Sequence, residues 1–195
     1  MKTLFVIALV LLTLFAVSQV LVSKSTEKIE TYSYEVIKAY DDLEIRAYES
    51  ANFAYVTMPK KTYKESSGQG FRMLAGYIFG GNKSGEKIAM TSPVSMTMQD
   101  SVTMMFMVPK TLKLKALPVP NNTDIKFKSE PGKMMAAIRF GGWANDEKIA
   151  DQTEKLKSLL EEQGIEHLGN FSYLGYNPPY ELLNRRNEVV VEVSE

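Results

Sequence analysis

The chain has 195 residues, no cysteine and a single histidine, His167, and its 23 basic side chains balance 23 acidic ones. Those counts exclude disulfides, thiolate catalysis, iron–sulfur clusters, cysteine zinc sites and any multi-histidine metal centre. With no net charge there is no field to draw in nucleic acid or anionic lipid, and a nucleic-acid role is disfavoured.

The first predicted element, Leu4 to Val22, is almost wholly apolar, with Lys2 before it and Lys24 after it. At about 19 residues it is long for the apolar region of a signal peptide and near the minimum for a membrane span. Either reading sends the rest of the chain across a membrane. Residues 1–23 act as an uncleaved anchor with the domain extracytoplasmic, or as a signal removed after export, for which Ala16-Val17-Ser18 is a passable cleavage site. The anchor ranks first because Gln19 to Val22 prolong the apolar run. Residues 24–33 then form a polar tether, and residues 34–195 form one domain large enough to bury a core.

Within that domain, Tyr34–Lys38 and Leu43–Tyr48 read as strands around an Asp41-Asp42 turn, with Phe53–Met58 as a third extended piece. Gly70 to Val94 follows, GFRMLAGYIFGGNKSGEKIAMTSPV. Phe71, Leu74, Ala75 and Ile78 recur at helical spacing, and Gly80-Gly81 suits a left-handed cap, so the helix ends near Phe79. Asn82 to Gly85 is turn chemistry, and Lys87 to Ser92 reads as extended. The loop lacks a phosphate-binding pattern, because Glu86 stands where a lysine is required. Ser95–Gln99 alternates, and Val102, Met104, Phe106 and Val108 share one face of the next strand.

Lys110 to Thr123 carries the prolines and asparagines of a connection, after which the order repeats. Asp124–Lys128 and Met134–Phe140 read as strands around Pro131-Gly132. A helix capped by Asn145 and stopped by Gly164 follows, with Ile149, Leu156, Leu159 and Leu160 as its apolar stripe. Phe171–Tyr176 and Glu188–Val193 are the last strands. Tyr176 to Tyr180 reads as a rigid turn, Trp143 as a core or rim aromatic, and Arg185, Arg186 and Glu188 as charges that pair across a sheet. Two copies of strand–strand–helix–strand–strand predict an antiparallel-rich α+β domain, its helices covering a curved sheet or open barrel.

Several separated motifs, in this order, resemble the SOUL/haem-binding protein family: YEVIKAYDDLEIRAYE, the central GFRMLAGYIFGGN and KIAMTSPV, FMVPK, IRFGGWA, YNPPY and RRNEVVVEV. The resemblance covers Tyr34 to the C-terminus. It implies a distorted β-barrel flanked by two helices with pseudo-twofold symmetry, and non-covalent binding of haem or another tetrapyrrole. In relatives with a proposed axial histidine, that residue follows the Ile-Arg pair of the second strand; here Ala47 follows Ile45-Arg46. His167 is the only histidine available instead. The groove implied by the resemblance involves the first helix, where Met73 and Tyr77 share a face at i,i+4 and Arg72 offers a charge for a propionate. Met90, Met96, Met98, Met104, Met105 and Met107 read either as core or as soft walls for a flat apolar ligand, with Tyr77, Phe79 and Phe171 beside them. No catalytic constellation appears, so a binding protein is expected rather than an enzyme. The alternatives are a structural or protein-interaction module and a tetrapyrrole-modifying enzyme.

Overall fold

A computed structural model describes residues 2–26, 28–59 and 62–194. Its strands and helices run in the order α1 (Lys2–Thr26), β1 (Glu30–Thr31), β2 (Tyr34–Ala39), β3 (Glu44–Tyr48), β4 (Ala51–Met58), α2 (Tyr63–Ile78), β5 (Thr91–Ser92), β6 (Val94–Met98), β7 (Val102–Met107), β8 (Lys126–Glu130), β9 (Lys133–Phe140), α3 (Asp146–Glu162), β10 (Ser172–Gly175) and β11 (Asn187–Glu192). Nine strands form one antiparallel sheet in the order β2-β3-β9-β11-β10-β6-β7-β4-β8, which curls into a half-barrel.

The predicted repeat is present, with an arrangement that strand periodicity does not disclose. One copy is β3, β4, α2, β6, β7 and the other is β8, β9, α3, β10, β11. Leaving out β2 at one edge, the sheet order is a palindrome about the β10/β6 pair, yet β3 lies against β9 of the other copy, and β8 lies against β4. Each copy lends its first strand to its twin.

Helix boundaries follow local chemistry. Thr62 caps α2 by accepting from the Glu65 amide at 3.3 Å, and Asn145 caps α3 by accepting from the Lys148 amide at 2.8 Å. Gly80 takes φ +106° just beyond α2, and a Cβ on Gly81 would lie 2.6 Å from the Gly76 carbonyl oxygen, so this turn requires the glycine pair. Asn82 is buried there: its Nδ2 donates to the Tyr77 and Glu86 carbonyls, and its Oδ1 accepts from the Glu86 amide.

The main core sits between the sheet and the two helices, built from Leu74 and Ile78 of α2, Ile149, Leu156 and Leu160 of α3, and Val56, Met96, Met104, Ala136, Ile138, Val189 and Val191 of the sheet. The opposite face of the sheet holds a smaller cluster around Tyr48, Met135, Leu174 and Val190. Beside it Glu188, wholly buried, accepts from Arg46 at 2.8 and 3.2 Å, from Arg186 at 2.7 and 2.9 Å and from the Tyr176 hydroxyl at 2.7 Å. The expected pairing across the sheet holds for Glu188, whose distant partner is Arg46; Arg186 pairs with Glu188 from two residues before it, and Arg185 donates to backbone carbonyls instead.

The tether expected over residues 24–33 is shorter than that span. α1 runs through Thr26, β1 pairs with β5, and the Tyr32 amide donates to the Ser92 carbonyl at 2.9 Å. In α1 the apolar side chains of Leu4, Phe5, Leu9, Leu12, Phe15 and Val17, among others, are exposed. Among the described residues, no helix is long and apolar enough to cross a membrane.

Candidate functional site

The N-terminal half of α2 does not close fully onto the sheet. It leaves a cavity of about 490 Å³, partly open to solvent, whose walls are mainly apolar. Tyr63, Ser67 and Phe71 face it from α2 at i,i+4 spacing, with Gly68 beside them. Met96 of β6, Met104 of β7 and Tyr173 of β10 form its floor. Asn177 to Tyr180, together with Tyr176 and Arg185, make the outer wall, and Trp143 and Ala144 close one end.

Each wall is held by identifiable contacts. The Asp146 carboxylate, in the first turn of α3, accepts from the Tyr63 and Lys64 amides at 2.6 and 3.1 Å. One helix therefore caps the other, which satisfies orphan N–H groups and sets Tyr63 edge-on to Tyr173, ring centroids 5.3 Å apart. Burial pushes the Tyr173 phenol well above its ordinary range, with Tyr63 adding to the effect, and its hydroxyl donates to Asn187 at 2.7 Å. Tyr176 is raised in the same sense, first by burial and then by the Glu188 charge. Both phenols stay neutral, and Glu188 fixes Tyr176 in the wall.

Arg185 organises the outer segment. Its guanidinium lies 4.1 Å from the Trp143 ring centroid and donates to the carbonyls of Asn177, Pro178 and Glu181 at 3.2, 2.8 and 2.6 Å. Its Nε is buried with no partner among the described residues. Among the described residues lining the cavity, Arg185 alone carries a formal charge.

None of the three residues expected to form a groove, Arg72, Met73 and Tyr77, is among those lining this cavity. Met73 packs against the core, and Tyr77 is buried with its hydroxyl donating to the Pro118 carbonyl at 2.9 Å and its ring against Phe127. Burial pushes the Tyr77 phenol up to about 12. Neither lines the cavity. Arg72 is exposed, but its Nη1 lies 3.5 Å from where a Cβ of Gly68 would stand, at the cavity's edge. His167 lies elsewhere: it is exposed, its Nδ1 accepts from the Gly169 amide at 3.1 Å, and its ring meets Phe171 edge-on. Phe171 lines a separate cleft of about 220 Å³. Of the residues proposed as soft walls, Phe79, Met90, Met96 and Met104 reach the cavity. Among the described residues no three His, Asp or Glu side chains converge as metal ligands would.

The sequence marks Trp143, the Tyr176–Tyr180 turn and Arg185 as structural, and the fold makes them walls. A turn with two prolines and flanking tyrosines looks the same in sequence whether or not a helix passes opposite.

The family model described as SOUL heme-binding protein matches residues 29–192. The chain belongs to the SOUL family. Among curated relatives of this SOUL domain, Heme-binding protein 2 of Homo sapiens is 30% identical over 156 residues, 75% of either chain. Heme-binding protein 1 of Xenopus laevis is 29% identical, with 75% of this chain and 80% of the relative covered. Heme-binding protein 1 of Sus scrofa is 28% identical, with 83% and 91% covered. These names describe binding proteins rather than enzymes. The SOUL fold also resembles the EcmrR C-terminal domain, with a TM-score of 0.62 at 10% identity over 83% of this chain and 98% of that one. A structure titled a hydrolase from Listeria innocua has a TM-score of 0.58 at 11% identity, covering 81% of this chain and 94% of that one. At such identities these two likenesses are of fold alone.

Proposed function

We propose that this SOUL domain binds haem or a related tetrapyrrole non-covalently, as a carrier, buffer or sensor, in the cavity between α2 and the segment from Tyr176 to Arg185. The cavity carries the reading. Its volume of about 490 Å³ lies in the range of sites for organic ligands, roughly 300–1,000 Å³. Its methionines and aromatic rings suit a flat, polarizable macrocycle, and Arg185 in its lining, with the Arg72 Nη1 3.5 Å from where a Cβ of the lining Gly68 would stand, suits ligand carboxylates.

Bound haem would bring a redox-active iron. The hydroxyls of Tyr173 and Tyr176 are engaged with Asn187 and Glu188, so the thioethers of Met90, Met96 and Met104 rank ahead of them as ligand candidates. A haem titration followed in the Soret region is expected to saturate at one equivalent. A linear rise like that of haem on any apolar surface would overturn the reading. Arg185→Met is expected to weaken binding roughly tenfold to a hundredfold, the value of a hydrogen bond to a charged group. His167→Ala is expected to leave affinity and spectrum unchanged in the same titration.

We assign residues 1–23 to carrying this domain across a membrane, as an anchor or as a signal. The support is the apolar run from Leu4 to Val22 between Lys2 and Lys24. Cell fractionation is expected to find the full chain in membranes, or an exported chain shortened near Gln19. A full-length soluble cytoplasmic protein would overturn the assignment.

A further inference from the structure

The outer wall of the cavity is held from outside by α1. The geometry points to Gln19 and Thr26 as positioning residues of the ligand site, an assignment that rests on the haem-binding reading above. The segment from Asn177 to Arg185 contains no strand and leans on Arg185 for its internal hydrogen bonds. Three further bonds come from α1. Gln19 Oε1 accepts from the Leu182 amide at 2.9 Å, Gln19 Nε2 donates to the Tyr180 carbonyl at 3.4 Å, and Thr26 Oγ1 donates to the Glu181 carboxylate at 3.0 Å.

These contacts bracket residues 180–182, whose first member, Tyr180, lines the cavity. Gln19 is 7% exposed on a helix whose apolar residues are largely exposed, which inverts the usual order of burial. Glu181, 2% exposed, finds its side-chain partner in Thr26. A buried amide and a buried carboxylate are costly unless answered, and here each answers the other element. Ile29, just past α1, also lines the cavity, so the helix and the wall are continuous. Neither an anchor nor a signal requires such polar contacts with the domain. Cleavage after Ser18 would retain both residues.

With the latch in place the wall is fixed around the ligand. Without it the wall can swing out, and release is faster. The test uses the full chain with haem as probe, comparing wild type, the double variant Q19A/T26V and the conservative T26S. Haem transfer to excess apomyoglobin gives the release rate, and hydrogen exchange of the peptide spanning residues 180–186 reports the Leu182 amide without any ligand. Q19A/T26V is expected to release haem about tenfold faster or more, as loss of these hydrogen bonds implies, and to lose protection at Leu182. T26S is expected to behave as wild type. Unchanged release, or unchanged exchange, in the double variant overturns the assignment, as does a T26S variant that behaves like the double one. If the wild-type chain takes up no haem, the haem-binding reading fails, and exchange at Leu182 still decides whether α1 holds the wall.

Discussion

Glu188→Ala is expected to lower folding stability by about 3–5 kcal/mol, because it leaves the Arg46 and Arg186 guanidinium groups without their shared buried carboxylate. Urea unfolding monitored by circular dichroism measures this directly, and a loss under about 1 kcal/mol would show that water replaces the pair. The same network gives a pH signature. Burial alone would raise the Glu188 carboxyl, but hydrogen bonds from Arg46 and Tyr176 and the charges of Arg46 and Arg186 outweigh it, leaving the group below its ordinary 4.5. A pKa lower in the folded than in the unfolded chain contributes stability above the unfolded value, and that stability is lost as pH falls through the folded one. The urea midpoint of the wild type is therefore expected to drop on acidification below 4.5, and that of Glu188→Gln to drop less. Because Glu188 also holds Tyr176 in the cavity wall, Glu188→Ala is expected to weaken haem binding at temperatures where the variant is still folded.

Gly68→Phe is expected to reduce haem affinity by tenfold or more while leaving the fold at least as stable as before, since glycine inside a helix costs roughly 1 kcal/mol relative to better helix formers. A Cβ there meets nothing nearer than Arg72 Nη1 at 3.5 Å, and the added ring would enter the cavity. Two residues on, Gly70 faces the core: its Cβ would lie 2.8 Å from Met58 Cε and 3.1 Å from Met104 Sδ, so Gly70→Ala requires these methionines to shift and is expected to act on packing instead. Affinity and thermal stability measured on both variants separate the cavity-lining side of α2 from its packing face. A Gly68→Phe variant that binds haem like the wild type would place the ligand elsewhere on the domain. Met73→Glu, aimed at the face of α2 away from the cavity, is expected to act chiefly on stability.

Much of the fold was legible because its signals are local. Asn145 and Gly164 bound α3, Gly80 and Gly81 stop α2, and alternation marks β6 and β7. The repeat could be read from the order of these elements. The exchange of β3 and β8 could not, because period-two alternation tells which face a residue takes and says nothing about which strand lies beside it. The site was legible by element but not by face. The apolar spacing of α2 identifies its core stripe; it does not tell which flank of that stripe is left uncovered. That depends on where Asp146 caps the helix and where the segment after β10 folds back, both set by contacts distant in sequence. Arg185 and Arg186, adjacent in the chain, illustrate the limit: one pairs with Glu188 and the other braces a loop against Trp143.

The exchange of first strands makes the domain a mutual clasp. A fragment ending after β7 would carry β3 without its neighbour β9 and β6 without β10, and would present β4 with the place of β8 vacant, three open hydrogen-bonding edges on one short chain. Neither half is thus an autonomous folding unit, whatever its resemblance to the other. The two halves, produced as separate polypeptides divided in the proline-bearing connection after β7, are expected to remain unfolded or aggregate singly and to reconstitute one domain when mixed, each closing the edge the other leaves open.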